Sequence, residues 1–477
     1  MKNIYTNDFL LTNAMGKRLF HEVAKSLPII DWHNHVDASL LATNKSFENV
    51  YQLWVQNDPY KHRAMRIRGV PENLITGSEA NDYDKFLAWA KCLPHTVGNP
   101  LFHWSCMELK QVFGIDEVLT LENAKNIWDK ANQILQQKGF GALDILKRFG
   151  LEMLCTSDDL LDSLEYHIAM SESPDIRCLP SLRSDSIIAF NQPTFFKWLE
   201  KLENLTQIKV RNLDDYKKAI INRLDFFDKN GCLLSDHSFD SGFKYVSSAP
   251  LMPTASSRQG VTVSATLFDN LLKNKGLDSD DFVELQSHVL HFLGLEYANR
   301  QWKMQLHIGA HRYTSSTLRN KVGGAGGFAC IGSTADMPLL SLLLDELDVK
   351  QGLPKTILYT LNPADNAAFA SLTGSFSEDN VRGKIQFGPA WWYNDHYEGI
   401  VQQLLDLSSY GLLSTTIGFT TDSRSILSFT RHDYYRRILC DLIGSWVEDG
   451  KLPDDEAFLS NLIKNIAYFN IKNWLAP

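Results

Sequence analysis

The pattern of hydrophobic and polar residues divides most of the chain into short apolar runs and longer amphipathic segments. Eight runs are rich in apolar residues and end in polar or small residues, which is typical of buried parallel strands. They cover residues 27–35, 151–159, 176–183, 231–239, 303–309, 355–361, 383–392 and 413–422. Segments with helical periodicity lie between these runs. Strand followed by helix, repeated eight times, predicts an α/β protein with a (β/α)8 TIM-like barrel.

The interval between the first two runs is much longer than a single βα unit. Residues 36–150 carry apolar positions at i, i+3 and i+4 spacing, with capping residues at the starts of several segments, which predicts helices. We therefore expect one barrel unit over residues 1–477, with a mainly helical insertion over 36–150 that contributes to the active-site mouth. A Gly-rich stretch, 321–333, lacks the pattern of a phosphate-binding loop, and we expect a loop over the same mouth.

Composition narrows the range of functions. The 44% hydrophobic and 22% charged residues are those of an ordinary globular protein, which excludes the disordered, collagen and coiled-coil classes. A net charge of −9 argues against nucleic-acid and membrane partners, although a few local arginines can still hold a small anionic substrate. Seven scattered cysteines without a C-x-x-C pair, no signal peptide and no bilayer-length apolar stretch predict a cytoplasmic protein.

A candidate metal site comes from the first and last predicted strands. His33 and His35 are one residue apart on a strand, so both rings project to the same side, as two ligands of one metal do. Asp422 ends the last run, which becomes the neighbour of the first strand when the barrel closes, so it can complete the site. The alternative is two histidines that simply pack against their neighbours.

Other strand ends add polar side chains to the same face of the barrel. His307 ends the fifth run and is either a further ligand, a group that hydrogen-bonds substrate, or a buried core histidine. Asp236 and His237 are adjacent, so their side chains face opposite sides of a strand, and we favour Asp236 for the barrel mouth.

Two arginines and two tryptophans suggest the nature of the ligand. Arg183 and Arg424 carry planar guanidinium groups that grip carboxylates, so they indicate an acidic ligand unless each pairs with a structural carboxylate. Trp391 and Trp392 either form a wall for a sugar ring or pack within the barrel.

At these residues the sequence resembles uronate isomerase (glucuronate isomerase), a family of the amidohydrolase superfamily. The matching segments occur in family order and include IIDWHNH, LPSLRSD, SDHSFD, GKIQFGPAWWYND and TTDSRSILSFTRHDYYRR. The resemblance implies a barrel of the metal-dependent hydrolase type, a homo-oligomer, and a divalent metal, with zinc the expected ion. It implies aldose–ketose isomerisation in hexuronate catabolism, from D-glucuronate to D-fructuronate and from D-galacturonate to D-tagaturonate, by ring opening and a cis-enediol.

The resemblance also implies three catalytic residues. Asp422 would be the base that removes the ring hydroxyl proton when the cyclic sugar opens. Tyr60, in the loop after strand one, would carry the proton from C2 to C1 together with Arg424. A nearby guanidinium makes sense there, because it stabilises a phenolate whose ordinary pKa of about 10 is too high for a base at neutral pH.

Substrate and metal contacts follow from the same resemblance. Arg183 would bind the uronate carboxylate, while Asp236, His307 and one of Trp391 and Trp392 would contact the sugar. The implied metal ligands are His33, His35 and Asp422.

The chain departs from the family pattern beside Tyr60. Many members have a histidine immediately before the tyrosine, where this chain has Pro59, and a tryptophan two residues after it, where this chain has His62. His62 is therefore a candidate substitute for the missing substrate contact.

Two other functions are compatible with these residues. One is a mononuclear metal-dependent hydrolase that acts on a small anionic substrate through a metal-activated hydroxide. A dinuclear form is disfavoured, because strand four supplies no lysine and strand six ends in Leu361 and Asn362 without a histidine. The other is a sugar-acid binding protein that has lost its chemistry, against which the joint presence of Tyr60, Asp422 and Arg424 counts.

Overall fold

The strands of the barrel begin close to where the apolar runs predict them. A computed structural model describes residues 1–173, 175–240, 242–247, 260–324 and 326–476. Its strands are β1 (Ile29–Asn34), β2 (Leu151–Asp159), β3 (Arg177–Arg183), β4 (Leu234–Asp240), β5 (Lys303–His311), β6 (Cys330–Ile331), β7 (Thr356–Thr360) and β8 (Ile385–Phe387). Most of their residues are buried, as expected of strands covered on both faces.

Seven strands form one parallel sheet in the order β1-β2-β3-β4-β5-β7-β8. The short strand β6 lies off this path and pairs antiparallel with the end of β5. The register aligns the carboxyl ends of neighbouring strands, since Arg183 pairs with both Asp159 and Asp236. This common edge is where ligands bind in parallel barrels.

Twenty α-helices occur in the described part of the chain, and seven of them, α2 to α8, lie between β1 and β2. In chain order, α1 to α20 are Ala14–Arg18, Ala38–Ala42, Val50–Trp54, Pro59–Ile67, Asp82–Cys92, Pro100–Phe113, Ala124–Leu135, Ala142–Arg148, Glu165–Met170, Phe195–Thr206, Leu213–Lys229, Gly260–Leu272, Ser279–Asn299, Ser316–Val322, Met337–Val349, Asn366–Leu372, Tyr397–Tyr410, Arg431–Glu448, Glu456–Lys464 and Asn470–Leu475. Among these helices none has the length and apolarity needed to cross a bilayer.

Apolar side chains fill the inside of the barrel. Trp32, Met153, Leu234 and Ile357 pack there in one cluster with residues of the C-terminal helix α20, including Trp474. Lysine side chains at the amino ends of β5 and β7 donate to backbone carbonyls of that helix. The C-terminal helix therefore closes the amino end of the barrel, and the carboxyl end remains for polar side chains.

The structure differs from the prediction at the eighth run, 413–422, which is not a regular strand. A short 3-10 turn, Leu413–Thr415, is followed by extended chain with no strand ladder. The Asp422 N–H donates to the His33 carbonyl at 3.1 Å, but the His33 N–H donates to the Thr420 side-chain oxygen instead of to a backbone carbonyl. Asp422 has a φ of 46°, which no strand residue adopts. The segment still occupies the position beside β1.

A buried carboxylate on β1 holds this irregular segment. One oxygen of Asp31 accepts from the Thr420 hydroxyl at 3.0 Å, and the other accepts from the Thr421 N–H at 2.9 Å. The second oxygen also pairs with the His432 imidazole on α18 at 2.9 Å. Asp31 is fully buried, so each of these bonds lies away from water. One side chain thus joins the first strand, the closing segment and the last long helix.

Removing the Asp31 carboxylate should therefore weaken the whole fold. We expect Asp31→Ala to lower the free energy of unfolding by about 3 kcal/mol, because several buried partners lose their hydrogen bonds at once. Urea unfolding followed by circular dichroism measures the change. The exposed Asp129, paired with Lys125 on the surface of α7, is the control, and Asp129→Ala should cost no more than about 0.5 kcal/mol. Equal losses in the two variants would contradict this role.

Candidate active site

A cavity opens at the carboxyl ends of the strands and contains most of the side chains that the sequence singles out. Of the predicted site residues, only Asp236 and His62 do not line it. Its wall consists of His33, His35, Pro59, Tyr60, Arg183, Ser238, His307, Arg312, Gly324, Gly327, Ala329, Trp391, Trp392, Asp422 and Arg424. The cavity therefore combines imidazoles, a carboxylate, a phenol, guanidinium groups and indoles.

The candidate metal ligands meet at one side of this cavity. The Nε2 atoms of His33 and His35 lie 3.2 and 3.0 Å from Oδ1 of Asp422. The three ligand atoms are within 4.8 Å of one another. Two imidazole nitrogens and one carboxylate oxygen, with a side open to the cavity, fit a catalytic metal site that keeps a position for water or substrate. These residues could therefore hold a divalent ion.

Neighbouring groups keep the Asp422 carboxylate ionised. Burial by itself raises the pKa of Asp422, but hydrogen bonds and charge from His33 and His35 hold the pKa well below its usual range. The Trp391 indole N–H donates to Oδ2, the other carboxylate oxygen. The positive φ of Asp422 turns its side chain from the barrel wall into the cavity.

Asp236 lies beneath the cavity rather than in its wall. Its Oδ1 is 2.7 Å from Nδ1 of His307, and its Oδ2 is 3.0 Å from Nη1 of Arg183. Although complete burial raises the pKa of Asp236, these two partners hold it well below the ordinary value. The His307 ring in turn packs against the His33 ring, with centroids 4.6 Å apart. Asp236 thus orients two groups that do face the cavity.

Three arginines surround the cavity, and they differ in their partners. Arg183 is already paired with Asp185 at 2.6 Å as well as with Asp236. Arg312, which the sequence pattern does not single out, donates to the Ser238 hydroxyl, pairs with Asp240 at 3.4 Å and lies 5.5 Å from the Trp392 ring. Within the described chain, the guanidinium of Arg424 has neither a hydrogen bond nor an ion pair, and it is exposed at the mouth. Arg424 is therefore the most available of the three for an anionic ligand.

Tyr60 reaches the cavity because helix α4 begins immediately before it. Asp58 caps the helix by accepting from the N–H groups of Tyr60 and Lys61, and Pro59 takes the first position, where no N–H is needed. The Tyr60 hydroxyl donates to Oδ2 of Asp395 at 2.9 Å.

The guanidinium nearest to Tyr60 is not the predicted one. Arg431 lies 4.8 Å from the Tyr60 ring centroid, and within the described chain no hydrogen bond or ring contact joins Arg424 to Tyr60. Sequence reasoning missed both Arg431 and Asp395. The available signal was their position inside the two segments GPAWWYND and TRHDYYRR, but nothing in those segments shows that the two side chains meet.

His62 lies two residues after Tyr60 on α4, and the Gly-rich stretch packs against Pro59, the residue before Tyr60. His62 is buried on α4, where burial lowers its pKa, and it does not line the cavity. Part of the Gly-rich stretch does line it, although Ala325 lies outside the described residues. Gly327 has a φ of 81°, and a Cβ there would approach the Pro59 carbonyl oxygen to 2.5 Å. Only glycine lets this loop pack so closely on the start of α4.

Comparison with known proteins identifies the family. The sequence profile of glucuronate isomerase matches residues 1–475. The chain belongs to the glucuronate isomerase family. It is 43% identical to a uronate isomerase of Bacillus licheniformis, over 99% of this chain and 98% of the relative. It is 40% identical to a uronate isomerase of Caldanaerobacter subterraneus over the full length of both chains. The resemblance inferred from the sequence motifs is confirmed.

The fold agrees with that of glucuronate isomerase relatives of known structure. The crystal structure of a uronate isomerase from Thermotoga maritima matches with a TM-score of 0.89 and 28% identity, over 99% of each chain. A glucuronate isomerase from Caulobacter crescentus matches with a TM-score of 0.90 at 24% identity, which supports the fold alone. The predicted TIM-like barrel is confirmed.

The candidate metal site gives a direct prediction for this glucuronate isomerase family member. We expect His35→Ala to lower the affinity for Zn²⁺ by roughly 100-fold or more, because loss of a ligand should cost at least as much as loss of an outer-shell contact. Competition with a fluorescent chelator measures the affinity. The exposed His95 is the control, and His95→Ala should bind as the wild type does. Equal affinities in all three proteins would argue against this site.

Proposed function

We propose that the chain interconverts D-glucuronate with D-fructuronate, and D-galacturonate with D-tagaturonate, in hexuronate catabolism. Full-length membership of an isomerase family is the observation that carries this proposal. The alternative, a mononuclear hydrolase on the same barrel, would use the same histidines and aspartate, so the metal group does not separate the two. The family match favours the isomerase over the hydrolase. Tyr60 in the cavity wall also provides the proton carrier that isomerisation needs.

The arginines suit the acid group that both proposed substrates share. Arg424 is free of protein partners in the described chain, and Arg183 presents the part of its guanidinium that Asp185 and Asp236 do not use. We expect Arg183 to bind the substrate carboxylate, since guanidinium groups match carboxylates in shape and charge, and Arg424 to face the oxygen atoms of the reacting carbons. The overall charge of −9 is no obstacle, because Arg183, Arg312 and Arg424 all line the cavity.

Asp422 is the proposed base for ring opening. Its carboxylate faces the cavity, and its pKa is held well below the ordinary value, so it is ionised throughout the neutral range. An ionised carboxylate can accept the ring hydroxyl proton while the sugar opens to the free aldehyde. Asp236, beneath the floor, acts on the sugar through His307, and the Trp391 and Trp392 indoles border the ring.

Proton transfer between the two carbons is assigned to Tyr60 and Arg424. Tyr60 takes the proton from C2 and delivers it to C1, with a cis-enediol between the two steps. Arg424 borders the same cavity and can stabilise the negative charge that develops on the enediol oxygens. In this arrangement the Arg424 guanidinium interacts with the enediol intermediate, whereas the Tyr60 hydroxyl is hydrogen-bonded to Asp395.

We further propose a divalent ion, by ligand type zinc, held by His33, His35 and Asp422. When bound, it would supply positive charge that orients and polarises the oxygen atoms of the sugar. The chain's own residues still perform the proton transfers described above.

The proposed setting is the cytoplasm, with a homo-oligomeric assembly. All seven cysteines are free thiols, and six of them are buried, which fits a reducing compartment.

Incubation of the purified protein with D-glucuronate or D-galacturonate in D₂O tests the reaction. We expect the ketose to form, with deuterium entering at C1 from exchange during proton transfer, and NMR of the sugar detects both changes. A boiled sample controls for uncatalysed exchange. Aldose that stays intact and unexchanged with both substrates would contradict the proposed function.

A second prediction concerns Asp422. Asp422→Asn should reduce kcat by roughly 1,000-fold, because the amide is not a base, while the protein remains folded by circular dichroism. NMR of ketose formation measures turnover, and the exposed-carboxylate variant Asp129→Ala should retain the wild-type value. Turnover of Asp422→Asn within tenfold of the wild type would overturn the assignment.

A further inference from the structure

A cluster of buried charges lies directly behind Tyr60. It contains three carboxylates and two cations, in two ion-paired groups that interact electrostatically. Their side chains are at most 4% exposed, and the members are Asp58, Lys61, Glu108, Asp395 and Arg431. Burying five charged side chains costs free energy, because each of them must be desolvated. The only one of the five that bonds a proposed catalytic side chain is Asp395.

Tyr60 and Asp395 form the contact between this cluster and the cavity. Oδ2 of Asp395 accepts from the Tyr60 hydroxyl at 2.9 Å and from Nη1 of Arg431 at 3.3 Å. Oδ1 of Asp395 is buried and has no hydrogen-bond partner within the described chain. Arg431 is packed between the Trp104 ring, 3.7 Å from its centroid, and the Tyr60 ring, 4.8 Å away. The carboxylate therefore has one fixed cation on one side and one movable proton on the other.

We propose that Asp395 accepts the phenolic proton of Tyr60 when Tyr60 takes the C2 proton of the substrate, and returns it when C1 is protonated. Asp395 acts through Tyr60 and does not reach the cavity itself, so it is a positioning residue with a relay role. This inference rests on the proposed isomerase function and adds a component to it.

The relay balances without any other reactant. In the first step the C2–H electron pair forms the C1=C2 bond, and the carbonyl π pair moves to O1. The C2 proton passes to Oη of Tyr60 as the phenolic proton passes to Oδ2 of Asp395, so the negative charge moves from Asp395 to the enediolate. The O2 proton then moves to O1. Finally the C2 carbonyl re-forms, C1 takes a proton from Tyr60, and Asp395 gives its proton back.

Without this relay, Tyr60 is a poor base. Burial raises the pKa of Tyr60 well above its ordinary value, and the nearby Asp395 raises it further. A free phenolate is therefore scarce at neutral pH. A concerted exchange of protons avoids that species, because the phenol oxygen loses one proton as it gains another.

The charge of the cluster favours proton uptake at Asp395. With three carboxylates and two cations, the fully ionised cluster has one negative charge in excess. Burial raises the pKa of Asp395 to about 7, against the lowering effect of Arg431 and of the Tyr60 hydrogen bond. A second carboxylate, Asp422, lies on the cavity side and also raises this pKa. Asp395 can therefore hold a proton and release it near neutral pH.

A purely structural role makes a different prediction. If Asp395 only orients Tyr60, an amide does the same, because the side-chain oxygen of asparagine still accepts the phenolic hydrogen bond. It cannot accept the proton. Asp395→Asn therefore separates orientation from relay.

The test compares steady-state turnover of D-glucuronate by the wild type, Asp395→Asn, Tyr60→Phe and the double variant. We expect Asp395→Asn to lower kcat by roughly 100-fold or more with KM within threefold, as loss of an acid–base group does. In the Tyr60→Phe background the same change should lower kcat by less than threefold, since the relay is already absent. Asp395→Glu, which keeps a carboxylate, should recover part of the loss.

Controls keep the outcomes distinct. Asp365→Asn changes a buried carboxylate that bonds Thr360 and the Ala335 N–H, away from the cavity, and it should keep kcat within twofold. If Asp395→Asn is not native by circular dichroism, Asp395→Ala takes its place, and added formate should raise its kcat at least tenfold.

Three results would count against the relay. One is a kcat for Asp395→Asn within fivefold of the wild type. Another is an equal loss with and without Tyr60, and the third is an Asp395→Ala variant insensitive to formate. A wild-type protein without isomerase turnover contradicts the proposed function, and with it the relay. If the wild type is active and the kcat of Asp395→Asn stays within fivefold of it, only the relay is contradicted.

Discussion

Closure of the barrel depends on the buried carboxylate of Asp31. A regular eighth strand would pair with β1 through backbone bonds, but here the closing segment is irregular and side-chain bonds replace part of the ladder. Such a segment has no fixed register by itself, since register comes from a regular ladder and its alternating side chains. Asp31 fixes the register through Thr420 and Thr421, together with backbone bonds between Asp422 and His33 and between His35 and Ser423, and through His432 it attaches the same point to α18.

The catalytic geometry follows from this closure. Because this segment does not pair with β1 as a regular strand, Asp422 can adopt a positive φ. Its side chain then faces the cavity, and its direction is not fixed by the alternation of side chains along a strand. It thereby reaches His33, near the end of β1, and His35, directly after it. The positive φ of Asp422 is a local backbone strain, and it accompanies the orientation of the Asp422 carboxylate toward the cavity.

Buried carboxylates serve the site in different ways according to their partners. Asp236 is surrounded by Arg183 and His307, which keep it ionised and fixed. Asp395 is paired with one cation, Arg431, and with the Tyr60 phenol, and burial raises its pKa, so it accepts a proton more easily than Asp236 does. The same residue type can therefore anchor neighbouring groups in one place and accept a proton in another, because the local charge balance sets the pKa.

The sequence by itself determined the barrel, its helical excess after the first strand, and most of the side chains around the cavity. Apolar runs reveal buried strands, and polar residues at the carboxyl ends of parallel strands must converge, so His33, His35, Arg183, His307 and Asp422 could be selected. Only the tertiary structure decided that residues 413–422 are irregular, that His62 is buried away from the cavity, and that Arg431 rather than Arg424 lies against Tyr60. These outcomes depend on contacts between segments far apart in the chain, for which a local pattern of residues contains no information.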